Sequence, residues 1–228
     1  MKDQNDIARR HLTVADAASK QRLNFMTETQ LPTAEALFRL LHFQEIETGL
    51  PYLALLLGDL LDCQQQPPLL RLHSACTTGD IFGSQRCDCQ AQMHEALHII
   101  ASEGRGLFVY LPQEGRGIGL TGKLQAYVLQ EQGYDTVEAN ERLGYPIDAR
   151  NYAGAIEILR AFGITHARLM TNNPDKMNAL QSSGITIQRV PLEIAPTTNN
   201  LHYLRTKQQR MGHQLTSLMR HPEFPYLG

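Results

Sequence analysis

Across 228 residues the sequence contains no tryptophan, four cysteines and only 7% aromatic residues. A core built from it must be filled mostly by aliphatic side chains. No apolar run approaches the roughly 20 residues that a membrane-spanning helix requires. The opening residues, Met1-Lys-Asp-Gln-Asn-Asp6, lack the apolar centre of a signal peptide, so a cytoplasmic location and no membrane partner are expected. Charge of one sign is missing as well. The 21 Lys and Arg against 23 Asp and Glu leave a net charge of −2. That balance creates no global field for nucleic acid, which is excluded as a partner; an anionic ligand would have to be held by local basic groups. In a reducing compartment, clustered cysteines read as metal ligands rather than disulfides.

With 42% hydrophobic and 19% charged residues, the composition is that of a globular protein, and the length suffices for a substantial core. Residues 1–30 are polar without a strong period and are expected to form an extension. The apolar runs at Tyr52–Gly58 and Gly106–Leu111 predict buried strands, and Leu69–His73, which alternates less cleanly, His166–Met170 and Ile185–Val190 also read as strands. Helical spacing appears over Gln90–Glu103, Leu120–Gln132 and 149–162, with Gly104, Gly133 and Gly163 as stops. Asn173-Pro174 reads as a cap followed by proline at the first helical position. Periodicity fades after Pro191, and 214–228 is expected to be a tail. The expected fold is α+β: a mixed sheet with flanking helices in a single domain over 31–213.

Three of the cysteines, Cys76, Cys87 and Cys89, share one short stretch with Asp80, Arg86 and Asp88, poor neighbours for an apolar core. Three thiolates without an adjacent fourth ligand describe an open, catalytic metal site, and thiolate donors favour zinc. A closed structural site remains an alternative if His73 or Asp80 supplies a fourth ligand. Cys63 receives no role. Gln113–Lys123 is a glycine-rich loop between a strand and a helix; it lacks the Ser or Thr of a Walker loop but could cradle phosphate with Arg116 and Lys123. Asp148-Ala-Arg150 and Thr171-Asn-Asn-Pro-Asp-Lys176 each sit at a helix entrance, where plain capping is the competing explanation. His94 and His98 are four apart without the zincin glutamate and are read as solvent-facing.

Taken in order, His73-Ser…Cys76…Gly-Asp80…Arg-Cys-Asp-Cys89, Gln113-Glu-Gly-Arg-Gly-Ile-Gly-Leu120, Gly133-Tyr-Asp-Thr-Val-Glu-Ala-Asn140 and Leu169-Met-Thr-Asn-Asn-Pro-Asp-Lys176 resemble the GTP cyclohydrolase II family from about Leu31 to about His213. The resemblance implies one catalytic Zn2+ per chain on Cys76, Cys87 and Cys89, with water in the fourth position. Zinc would lower that water's pKa, and hydroxide would attack C8 of guanine. It also implies GTP as substrate, Mg2+ on the triphosphate, loss of formate and pyrophosphate, a diaminopyrimidine nucleotide as product in the first step of riboflavin synthesis, and a homodimer. Asp148 would accept a proton, Tyr127 would lie near the reacting ring, and Arg150 would be either a nucleophile toward the α-phosphate or an electrostatic clamp. Arg71, Leu72, His73, Ser74 and Ala75 would flank the nucleotide. Gln92, Glu114, Gly115 and Arg116 would read base and phosphate, with Thr136, Thr171 and Lys176 completing the pocket. Two positions depart from the family's usual residues: Ala75 replaces a glutamate and Pro112 an arginine. A paralogue that only opens the ring, or binds GTP without full turnover, is the alternative. A nucleic-acid zinc ribbon and a zinc deaminase lack their signatures here.

Overall fold

The computed structural model describes residues 21–60 and 63–215, apart from the side chain of His202. Its seven strands are β1 (Leu23–Pro32), β2 (Leu37–Glu45), β3 (Pro51–Leu57), β4 (Leu69–Ser74), β5 (Gly106–Leu111), β6 (His166–Met170) and β7 (Thr186–Val190). They form one sheet in the order β1-β2-β3-β5-β4-β6-β7. The half from β1 to β5 is antiparallel, while β5, β4, β6 and β7 pair in parallel. The expected mixed sheet is therefore present. β4 and β5 are central and almost wholly buried, which explains why β5 reads as an unbroken apolar run rather than an alternating one; in β4 the buried run also takes in Arg71 and His73.

Strand periodicity sorts their side chains onto two faces. Leu70, Leu72, Leu107 and Val109 pack with Ala155, Ile158 and Leu159 on one side. Leu69 and Phe108 pack with Ala96 and Ile100 on the other. These partners belong to α4 (Ala153–Ala161) and α1 (Cys89–Glu103), so the sheet is covered on both faces. α1 ends where Gly104 takes a left-handed conformation at φ 74°. α2 (Gly119–Glu131) follows the glycine loop. α5 (Pro174–Ser182) begins as predicted, with the Asn173 side chain accepting from the Asp175 N–H and Pro174 in the first turn.

Three expectations are corrected. β1 starts at Leu23, so the last eight residues of the supposed 1–30 extension belong to the sheet; Phe25 pairs with Phe43 and their rings meet edge to face at 5.7 Å. The strand was hidden because it is an edge strand whose other residues are mostly half-buried or exposed. The helix expected over 149–162 begins only at Ala153, because Asp148 and Arg150 bond to each other in an irregular segment. After Pro191 the chain does not simply trail away: α6 (Leu201–Met211) forms there. A further helix, α3 (Thr136–Arg142), is set by a capping box in which Asp135 accepts from the Val137 and Glu138 N–H groups and Glu138 reaches back. Residues 1–20 and 216–228, including most of the expected extension and tail, lie outside the described residues. Among the described residues no helix is long and apolar enough to cross a membrane.

Gly154 lies in the first turn of α4 against the Tyr52 ring, where an added Cβ would meet ring carbons at 2.7 and 2.8 Å. Gly→Ala within a helix ordinarily stabilises by about 1 kcal/mol. Here overpacking, at about 1–3 kcal/mol, dominates. Gly154→Ala is expected to lower the urea unfolding midpoint; a raised midpoint would show that Tyr52 yields freely.

Candidate active site

Because β4, β5 and β6 run parallel, their carboxyl ends reach the same edge, the usual place for ligands in such sheets. The loop after β4 carries the cysteines, the loop after β5 the glycine run, and the loop after β6 the Thr171-Asn-Asn173 turn. Together they line a cavity of about 490 Å³.

At one end, the Sγ atoms of Cys76, Cys87 and Cys89 lie within 4.8 Å of one another, with Cys76 and Cys87 3.7 Å apart. A single wide helical turn, Thr77–Ile81, folds Gly79 over them. A Cβ on Gly79 would meet Cys87 Sγ at 2.9 Å and Cys76 Sγ at 3.0 Å, so only glycine leaves the donors accessible. His73 and Asp80, the alternative fourth ligands, are engaged elsewhere. His73 Nε2 lies 3.0 and 3.1 Å from the two Asp80 oxygens, and Asp80 Oδ2 also accepts from the Cys76 N–H and the Tyr110 hydroxyl, each at 3.0 Å. That network holds the cysteine loop against β5 and leaves three convergent soft donors, a set that fits zinc with an open position.

The thiols are electrostatically unequal. Hydrogen bonds from Cys87 and Cys89, joined by the Lys123 ammonium 3.0 Å away, hold Cys76 far below the thiol range. Its hydrogen bond to Cys76 pushes Cys87 up to about 11, and bonds to Cys76 and Cys87 raise Cys89 well above its ordinary value. One thiolate is compensated by Lys123; ionising the other two calls for a dication. Glu114 anchors the same lysine at 2.8 Å and accepts the Thr77 N–H at 2.6 Å, tying the glycine loop to the cysteine loop. Tyr127 on α2 lies 3.4 Å from Thr78 through their hydroxyls, with the Arg86 guanidinium 4.7 Å over its ring.

Arg116 is the one non-glycine residue with positive φ among the described residues, at φ 62° and ψ 34°. Such a conformation costs about 1–3 kcal/mol and tends to mark functional sites. Gly117 follows at φ 92°, where a Cβ would lie 2.7 Å from the Ala149 carbonyl oxygen. The Ala149 N–H donates to Arg116 O at 3.0 Å, so the loop is docked onto the Asp148–Arg150 segment. Arg150 Nε donates to both oxygens of Asp148, at 2.9 and 3.0 Å, and Nη2 adds a further bond. Both terminal nitrogens of Arg116 are buried without a hydrogen-bond partner.

The rest of the cavity is cationic. Arg71, only 5% exposed, donates to Met170 O at 2.8 Å and Gln92 Oε1 at 2.6 Å. Gln92 in turn holds Asp88, which also pairs with Lys207 at 3.3 Å. Lys176 donates to Leu72 O at 2.8 Å; burial, and then Arg71, Arg150 and Lys207, drive its pKa well below the amine range. Burial and the cations Lys207, Arg150, Lys176 and Arg116 push His213 down to about 2. Uncompensated positive potential and an orphaned guanidinium describe a receptor for a polyanion.

Most residues singled out from the sequence line this cavity: Arg71, His73, Ser74, Ala75, Gln92, Glu114, Gly115, Arg116, Tyr127, Thr136, Arg150, Thr171 and Lys176. Leu72 does not. Its side chain is fully buried in the core, and only its carbonyl serves, by holding Lys176. Asp148 reaches the cavity through Arg150. His94 and His98 are exposed and do not line the cavity. Sequence reading missed Tyr203, Lys207 and His213. The four-residue spacing of Tyr203 and Lys207 was the available signal, concealed in a polar stretch.

The unequal thiols fix the proton balance of metal loading. The Lys123 ammonium favours the Cys76 thiolate while Cys87 and Cys89 are pushed up, so uptake of zinc near neutral pH should release protons, mainly from the latter two, and weaken as pH falls. Calorimetry in buffers of different ionisation enthalpy reads this; release of none would contradict the charge assignment. Gly79→Ala should lose most bound zinc, measured as metal per chain, while the fold persists by circular dichroism.

A family model for GTP cyclohydrolase II matches residues 24–191. The riboflavin biosynthesis protein RibBA of Phocaeicola vulgatus is 51% identical over 189 residues, covering 82% of this chain and 46% of its own. RibBA of Bacillus velezensis is 47% identical over 221 residues, covering 92% of this chain and 55% of its own. The chain thus spans about half the length of these curated relatives. The solved structure of RibBX, a two-domain 3,4-dihydroxy-2-butanone 4-phosphate synthase from A. baumannii, aligns over 82% of this chain and 43% of that chain, at 18% identity and a TM-score of 0.45. The matched residues run from β1 through β7 and include the three cysteines, the glycine loop, Asp148, Arg150 and Lys176; the chain belongs to the GTP cyclohydrolase II family.

Proposed function

We propose that this chain hydrolyses GTP, opening the guanine imidazole ring and releasing formate and pyrophosphate to give 2,5-diamino-6-(5-phosphoribosylamino)pyrimidin-4(3H)-one, the first step of riboflavin synthesis. The observation that carries this reading is the two-ended cavity: three convergent thiols at one end and partly uncompensated cations at the other. Zn2+ held by Cys76, Cys87 and Cys89 would supply a Lewis acid that activates water at neutral pH. Family membership supports the substrate.

The chain's own residues divide the remaining work. Lys123 and Glu114 keep Cys76 ionised and the two loops joined. Burial raises the Tyr127 pKa, so its hydroxyl stays protonated and can donate to the purine near the reacting carbon. The phosphates are assigned to Arg116, Arg150, Lys176 and Thr171. Burial would lower the Arg150 pKa, but its bonds to Asp148 raise it, so the guanidinium stays protonated. Between the two roles open for Arg150, that favours the clamp, with Asp148 fixing its orientation. Asp88, Glu114 and Glu131, the carboxylates lining the cavity, are already paired with Lys207, Lys123 and Arg86. Mg2+ is therefore proposed to enter on the triphosphate oxygens, as hard cations do at phosphate sites. Homodimerisation is also proposed. A row of exposed apolar side chains on α2, Leu120, Leu124 and Val128, supports a self-associating face.

Formate and pyrophosphate quantified from one GTP incubation test the reading; ring-opened product without formate would replace it by the partial reaction. Cys87→Ser should lose both zinc and formate release. Arg150→Ala should lower kcat by about 10²-fold or more while metal content holds. Binding of a non-hydrolysable GTP analogue should take up protons. Burial and neighbouring cations lower the Lys176 pKa and push that of His213 down to about 2, and the polyanion offsets those charges, raising both. Affinity should therefore rise as pH falls through neutrality, provided zinc stays loaded; an affinity that falls instead would contradict the assignment.

A further inference from the structure

Helix α6 lies beyond the residues matched by the family model, and none of the site residues implied by the resemblance belongs to it. Yet Asn199, Tyr203, Lys207 and His213 line the cavity. The segment is fastened at its C-terminal end. Gln214 N–H donates to Asn172 O at 3.0 Å, Arg189 Nη2 bridges Asn172 Oδ1 and Gln214 O at 3.2 Å each, and Arg210 pairs with Asp135 at 2.7 Å. Within it, the Tyr203 ring carries two cations: Lys207 Nζ at 4.3 Å and the Arg116 guanidinium at 5.7 Å from its centroid. Arg116 comes from a strained loop, and its two terminal nitrogens are buried without hydrogen bonds. An aromatic face can hold a guanidinium in place while leaving its N–H edges free. Lys207 also reaches Asp88, the carboxylate between two ligand cysteines, which Gln92 links to Arg71.

We propose that Tyr203 and Lys207 are a positioning pair for the polyphosphate: Tyr203 presents the edges of Arg116 to it, and Lys207 sets the Asp88–Gln92–Arg71 chain behind it. The pair rests on the reading that a nucleoside triphosphate occupies the cavity. It extends the site to a helix that sequence periodicity did not disclose.

Inorganic tripolyphosphate and guanosine, each titrated calorimetrically into the full zinc-loaded chain, separate the two halves of the ligand. Tyr203→Leu and Lys207→Gln should each weaken tripolyphosphate by about tenfold. Tyr203→Phe, which keeps the ring, should stay within about twofold, as should guanosine binding in all three variants, at unchanged zinc content. Failure of the unmodified chain to bind tripolyphosphate overturns the proposal. So does wild-type affinity in Tyr203→Leu, or a loss in Tyr203→Phe equal to that in Tyr203→Leu. If Tyr203→Leu does not fold, Lys207→Gln decides: a tenfold loss supports the pair and none overturns it. Formate production stands apart. Its absence together with the tripolyphosphate pattern would sink the hydrolase reading and keep the pair; its presence with unaffected variants would do the reverse.

Discussion

Parallel pairing of β4 with β5 and β6 is the constraint on which the rest of the structure depends. Parallel strands end on the same side, so three consecutive loops meet at one edge although the cysteine and Thr-Asn-Asn segments are about 90 residues apart in the chain. The aliphatic core fixes that edge in space. With no tryptophan and few aromatics, it relies on Leu, Ile and Val interdigitating from α1 and α4 onto the two faces of β4 and β5. The site's polar side chains hang from the ends of the most deeply buried strands, which is why long-range hydrogen bonds such as Lys176 to Leu72 O can be held at 2.8 Å.

Electrostatics then divides the cavity. At the thiol end the carboxylates that line the cavity each have a cation: Glu114 has Lys123, and Asp88 has Lys207. At the far end cations outnumber anions. Burying them together disfavours the charged forms, and the depressed Lys176 and His213 are the visible result. The cations at that end are thus crowded electrostatically, and a polyanion there would relieve the crowding as it bound. The strained backbone at Arg116 has the same logic: local cost is tolerated where it aims a guanidinium into the cavity.

What could be read from the sequence follows from how local the signals are. β4, β5, β6 and β7, α1, α2 and α5 each carry a complete local signature: a buried run, a helical repeat or a cap. The cysteines were legible because metal-ligand chemistry restricts residue type and spacing. Asp148 and Arg150 are two residues apart and bond directly, so that pairing too was near the surface of the sequence. Leu72 misled because its backbone, not its side chain, serves the site. β1 and α6 were missed for the opposite reason. Each leans on partners distant in sequence: β1, beyond its hairpin with β2, on Glu157, 134 residues from Leu23, and α6 on Asp88, 119 residues from Lys207. No window of neighbouring residues contains that information.

The closeness of Cys76 to Cys87 has a consequence for handling and lifetime. A thiolate 3.7 Å from a protonated thiol is poised for disulfide formation once an oxidant converts it to a sulfenic acid. The low-pKa thiol that makes metal capture easy at neutral pH is also the most readily oxidised of the three. A metal ion held on all three sulfurs would therefore act as a protecting group for its own binding site.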